Sequence, residues 1–143
     1  MKKVFLDTNI LLDTLEERRF SDSSRAVVSK GNEGRIALYA SLLSFVNISY
    51  IRRKHAVDEI YTDLNNLRSI LHVVPMDGAQ LDAALNIRVK DFEDNVQFQC
   101  AKAAGCDVIV TNNTKDFVGL NGIDVMSSED FLLDLFAEEE VLD

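Results

Sequence analysis

Short apolar runs alternate along this chain with longer stretches in which apolar residues recur every three or four positions. The runs "KKVFL", "RIALYAS", "HVVPM" and "CDVIVTNN" are β-branched or aromatic and predict strands, with a weaker fifth over "GIDVMS". Helical spacing fills the intervals: "NILLDTLEERRF", "SDSSRAVVSKGNEG", "SLLSFVNISYIRRKHA", "VDEIYTDLNNLRSIL", "GAQLDAALNIR", "DFEDNVQFQCAKAAG" and a closing "SSEDFLLDLFAEEE". Asp77 stands where a helix cap belongs, and Gly105 stands where a helix would stop.

Strands separated by helices imply parallel pairing through crossovers, with helices on both faces of the sheet. The expectation is an α/β fold: a three-layer α/β/α sandwich around a central parallel sheet of four to five strands. Nearly all-apolar stretches such as "DVIV" fit strands buried on both sides. Pro75 is the only proline and no Pro/Ser/Gly-rich linker divides the 143 residues, so residues 1–143 read as one domain. No apolar run approaches the roughly 20 residues that span a bilayer. The apolar stretch of "MKKVFLDTN" stops at Asp7, too early for a signal-peptide core, and the expected location is the cytoplasm. In that reduced compartment Cys100 and Cys106 read as small buried apolar groups.

Charge changes the picture. The net charge is −9 and the pI about 4.6, which argues against a general nucleic-acid binder with a basic footprint. An acidic balance also results when carboxylates gather around a cation, so their placement decides. Ligands of open α/β sheets sit outside the carboxyl ends of the strands. Asp7 holds that position after the first strand; Thr111, Asn112 and Asn113 hold it after the fourth, with Asp116 close behind. Asp91, Glu93 and Asp94 open the helix that leads into the fourth strand, a helix long enough to bring its first turn back to the same edge.

Converging carboxylates repel unless a cation lies among them. Oxygen-only ligands favour Mg²⁺ or Mn²⁺, and no His/Cys cluster suits zinc. Such a centre can activate water against a phosphodiester. Each residue also has a plainer role. Asp7 suits an N-cap, Asp94 the dipole of a helix start, Asp116 a turn, and Asn47 a satisfied polar position. Glu93 suits a solvated first turn, and Asp91 reads as the cap and stays outside the site.

Taken together, "VFLDTNILLD", the S-x-x-S-F-V-N of "SLLSFVN", and "DFEDNVQFQCAKAAGCDVIVTNNTKDF" resemble the PIN-domain family of metal-dependent ribonucleases, many of them VapC-like toxins. The resemblance implies catalytic and metal-binding roles for Asp7, Asp94 and Asp116, with Thr111 supporting the first acid. The family's second acid falls on Asn47, which the resemblance makes a catalytic residue whose neutral carbonyl oxygen positions ligands and water; this departure removes one charge and marks a subgroup with Asn there. Glu93 is the neighbour able to replace that charge. The implied function is Mg²⁺- or Mn²⁺-dependent RNA hydrolysis, with an antitoxin and a second copy of the chain as partners.

The basic run Arg52, Arg53 and Lys54 follows Asn47 along the same helical pattern, and offers either contacts to RNA phosphates or a solvated face. Two rivals stand beside the nuclease. One is a weak or inactive PIN-like module that binds RNA or protein, motivated by Asn47. The other is a phosphatase with Asp7 as nucleophile, disfavoured because Asn9 stands where a second Asp is expected.

Overall fold

The structure is a computed structural model that describes residues 1–142; Asp143, the last residue of the expected domain, lies outside the described residues. Strands form at all five apolar runs: β1 (Lys3–Leu6), β2 (Ala37–Ser41), β3 (His72–Val74), β4 (Val108–Val110) and β5 (Asp124–Met126). They make one five-stranded sheet in the order β3-β2-β1-β4-β5, every pairing parallel. The helices are α1 (Thr8–Leu15), α2 (Ser21–Asn32), α3 (Leu42–Ile51), α4 (Val57–Ile70), α5 (Gly78–Asn86), α6 (Phe92–Ala103) and α7 (Ser128–Leu142), with a 3-10 turn at Thr114–Phe117.

The period-two pattern of the strands sorts the core into two halves. Val4, Leu6, Leu38, Ala40, Val108 and Val110 pack with residues of α1, α2, α3, α4 and α7. Phe5 and Ile109, between them in sequence, pack instead with Ala84 of α5 and with Val96, Phe98 and Cys100 of α6. The sheet is thus covered on both faces, as the expected three-layer α/β/α sandwich requires. Both cysteines are buried and unpaired, and burial pushes each thiol up to about 11. Among the described residues, no helix is long and apolar enough to cross a membrane.

Local chemistry sets the ends of the helices near the site. Asp77 caps α5: its carboxylate accepts from the Ala79 amide at 2.8 Å, while Gln80 reaches back to the Asp77 N–H at 2.7 Å. Helix α6 ends on Gly105, whose φ of 69° is open to glycine at little steric cost. There the Cys106 and Gly105 amides close back on the Ala101 and Lys102 carbonyls at 3.0 and 3.1 Å. The chain then enters β4 at once.

Two expectations fail here. Helix α1 stops at Leu15 and does not run to Phe20, and α3 stops at Ile51, leaving Arg52 to His55 as a turn. Within that turn Arg52 is withdrawn from any RNA contact. Its guanidinium is buried, bonded to Glu16 at 2.9 Å and Asp63 at 3.0 Å, with Glu59 at 3.5 Å. Three carboxylates from α4 and the end of α1 neutralise it, so the residue clamps the α3–α4 turn. Arg53 and Lys54 remain exposed, and Arg53 lies over the Tyr50 ring, 4.2 Å from its centroid.

Gly31 brings the backbone of α2 close against Leu38 of β2. A Cβ there would stand 2.3 Å from Cδ1 and 2.5 Å from Cγ of the buried Leu38. Gly31→Ala is therefore expected to destabilise the protein by about 1–2 kcal/mol in urea denaturation. This is overpacking of about 2–3 kcal/mol, the upper part of the usual range because both contacts fall far inside van der Waals distance, less the roughly 1 kcal/mol that alanine gains in a helix. An unchanged or raised midpoint would contradict the packing described.

Candidate metal centre

Strand β1 lies at the point where the strand order reverses, with β2 on one side and β4 on the other. Outside the carboxyl ends of such a pair the backbones diverge and leave a crevice. Register puts Leu6 beside Val110, so the next residues, Asp7 and Thr111, are neighbours at that rim. The Asp7 amide bonds the Val110 carbonyl at 3.1 Å.

Asp7 is buried and its carboxylate is fully held. Oδ1 accepts from the Thr8 amide at 2.8 Å, and Oδ2 accepts from Thr111 Oγ1 at 2.8 Å and Asn9 Nδ2 at 3.1 Å. Asn9 is held in turn by the Asn112 amide, which donates to its Oδ1 at 3.1 Å. Asp7 is therefore both the N-cap of α1 and a wall of the crevice; its two readings are compatible.

Helix α6 is 12 residues long, about 18 Å at the usual rise, and it returns its first turn to this rim. Asp91 caps it, accepting from the Asp94 amide at 3.0 Å. Asp94 and Glu93 then line a cleft of about 340 Å³ together with Asp7, Thr8, Asn9, Asn47, Asp91, Asn113 and Asp116. Asp7, Glu93 and Asp94 each offer an oxygen within 4.8 Å of the others, and Asp91, Asp94 and Asp116 form a second such group sharing Asp94. Asp116 arrives on the 3-10 turn that follows β4.

Glu93 is anchored by two amides, Asn47 Nδ2 and Gln97 Nε2, each 2.9 Å from its Oε1. Gln97 is fully buried and is a residue the sequence pattern did not single out. Its Oε1 accepts from Ser41 Oγ at 2.6 Å, and its Nε2 also reaches Ser44 Oγ at 2.9 Å and Thr8 Oγ1 at 3.3 Å. The available signal was its spacing, four residues after Glu93 and hence on the same helical face. Asp91 was set aside as a cap; it is one, and it also faces the cleft. Asn112 serves structure, its amide bonding the buried Asp13 at 3.1 Å and its carbonyl accepting from Ser128.

Electrostatics of the gathered acids follow from burial and proximity. Asp7 is pushed up to about 6, chiefly by burial, against the lowering effect of Thr111, with Glu93 adding repulsion. Asp94 rises to about 8, again chiefly through burial, then through Asp7 and Glu93. A cleft lined with oxygen donors and short of counter-charge matches the coordination chemistry of Mg²⁺ and Mn²⁺. The donor set therefore fits such an ion.

A model of the PIN domain matches residues 3–115. The chain belongs to the PIN-domain family. It is 28% identical over 138 residues to Ribonuclease VapC1 of Aquifex aeolicus, covering 91% of this chain and 93% of that one. Its fold is shared with a crystal structure of VapBC2 from Rickettsia felis bound to a fragment of promoter DNA. That match has a TM-score of 0.68 and 16% identity over 86% of this chain and 96% of that one. It is likewise shared with FitAcB from Neisseria gonorrhoeae, with a TM-score of 0.69 and 13% identity over 88% and 98%. In this PIN domain, then, the acidic cleft lies outside the carboxyl ends of β1 and β4, where the helix after β1 packs on one face of the sheet and the turn after β4 on the other.

The raised carboxyls give a pH signature. The folded protein keeps these protons to higher pH than the unfolded chain, so ionising them removes stability. The loss begins as pH rises above the ordinary 3.8 and is complete above about 6 for Asp7 and about 8 for Asp94. In metal-free buffer Asp94→Asn should therefore melt above wild type at high alkaline-side pH (around 8.5), by at least the 2–4 °C that about 1 kcal/mol produces in a chain of this size. Near pH 4 the two should melt together. A wild type equal to or above Asp94→Asn at the higher pH, followed by circular dichroism, would contradict this picture of the cleft.

Proposed function

We propose that this PIN domain, taken as one unit over the chain, is an endoribonuclease that hydrolyses RNA phosphodiester bonds with the help of Mg²⁺ or Mn²⁺. The observation that carries the proposal is the meeting of Asp7, Glu93, Asp94 and Asp116, from the residue after β1, the first turn of α6 and the turn after β4, on one cleft. Asp7 and Asp94 would hold the cation, with Asp116 reaching it from the neighbouring group that shares Asp94. Bound there, it supplies positive charge to a phosphodiester and lowers the pKa of water.

The chain's own residues do the rest. Thr111, Asn9 and the Thr8 amide fix both oxygens of Asp7, so that carboxylate meets its ligand without reorganising. Burial and mutual repulsion raise both Asp7 and Asp94, so this pair of carboxyls would give up protons to a bound cation. The exposed Arg53 and Lys54 lie just beyond Ile51, which lines the cleft, and suit contacts to RNA phosphates that offset the chain's net charge of −9.

The VapBC and FitAcB likenesses, together with the VapC1 relative, support a toxin role with an antitoxin as partner. The cytoplasm is the compartment where RNA would be met. The exposed Leu42, Val46 and Tyr50 of α3 support a second copy of the chain as a further partner. Asp7→Asn should keep the fold by circular dichroism and lose RNA cleavage in Mn²⁺ or Mg²⁺. The loss should reach at least the roughly 10–100-fold caused by removing a mere hydrogen-bond partner of a metal ligand. Equal cleavage by both proteins, with EDTA as the blank, would reject the proposal.

A further inference from the structure

We infer that Glu93 takes the place of the acid missing at position 47, and that Asn47 and Gln97 are positioning residues that aim Glu93 at the cation. The inference rests on the metal reading above and deepens it. Asn47 is committed as a donor: its Nδ2 lies 2.9 Å from Glu93 Oε1. A carboxylate only accepts, so the amide nitrogen, and not the carbonyl oxygen, has to face it. Asn47 therefore acts through its neighbour, where a bare sequence reading assigns it an oxygen ligand.

Gln97 completes the device. Its Nε2 bonds the same oxygen of Glu93 at 2.9 Å, and its own Oε1 is fixed by the Ser41 hydroxyl at 2.6 Å. Turning the amide over would set its oxygen against the Glu93 carboxylate, which only accepts. Ser41 ends β2, Ser44 and Asn47 belong to α3, and Thr8 opens α1, so the aim of Glu93 is set by elements packed around α6.

Both amides end on Oε1, leaving Oε2 out of their grip. A long, half-buried side chain is thus held in place beforehand, and less of its rotamer freedom is left to lose when a ligand arrives. Fold stability alone gives no reason for this arrangement. Drawing a third carboxylate toward Asp7 and Asp94 adds repulsion that a neutral side chain at position 93 would avoid.

The test is Mn²⁺ titration by calorimetry, without RNA, on wild type, Asn47→Ala, Glu93→Gln, their double variant and Asp7→Asn. Asn47→Ala should weaken Mn²⁺ binding by about 10-fold and Glu93→Gln by at least as much. The double variant should bind no more weakly than Glu93→Gln, because Asn47 works through Glu93. Alanine is favourable within α3, and a melting curve on that variant checks that it folds. Gln97→Met, checked by its melting curve, should repeat the result from the other donor.

Full-strength binding by Asn47→Ala or Glu93→Gln, or losses that simply add in the double variant, would overturn the inference. Asp7→Asn separates the two levels. Lost binding there with intact binding in Asn47→Ala and Glu93→Gln overturns this inference alone. Wild-type binding by Asp7→Asn overturns the metal reading and this inference with it.

Discussion

Repulsion among carboxylates at the rim of β1 and β4 is the constraint on which the site depends. Left to itself, a chain places its acids apart in water. Here the sheet brings Asp7 to the end of a buried strand, α6 returns Glu93 and Asp94 to the same edge, and the turn after β4 adds Asp116. Burial and mutual proximity hold Asp7 and Asp94 above the ordinary carboxylate range. A fold selected only for stability would not keep such a cluster. A divalent cation turns the same arrangement from a liability into a favourable one.

The architecture makes the gathering possible with few residues. Parallel strands all end on one side, so each crossover offers a ligand to the same edge. The reversal of strand order at β1 opens the crevice, and two half-cores pack against opposite faces of the sheet that carries it. Around that crevice the side chains are tied in advance. Thr111, Asn9 and a backbone amide hold Asp7, while Asn47 and Gln97 hold Glu93. Hydrogen bonds to a carboxylate of this kind fix geometry as well as charge, which is what a centre for in-line chemistry needs.

Much of this was legible in the sequence because it rests on local signals. The apolar runs of β1 and β4, the cap at Asp77 and the stop at Gly105 are each encoded within a few residues, and they led to the parallel sandwich. Asp7 was visible because a charge abruptly ends an apolar strand. What failed was set by distant partners. Arg52 looks like part of a basic helical face, yet its partners Glu16, Glu59 and Asp63 come from other elements and bury it. Gln97 reads as one polar residue on a helix, since Ser41, Ser44 and Thr8 meet it only in the folded chain. Asp91 has a cap's sequence signature, which hid its second position on the cleft.

The most direct measurement of the central claim is anomalous diffraction from crystals soaked in Mn²⁺. The account predicts a strong peak in the cleft, within roughly 2.0–2.6 Å of carboxylate oxygens of Asp7 and Asp94. An empty cleft at millimolar Mn²⁺, or a peak bound only elsewhere on the surface, would contradict it.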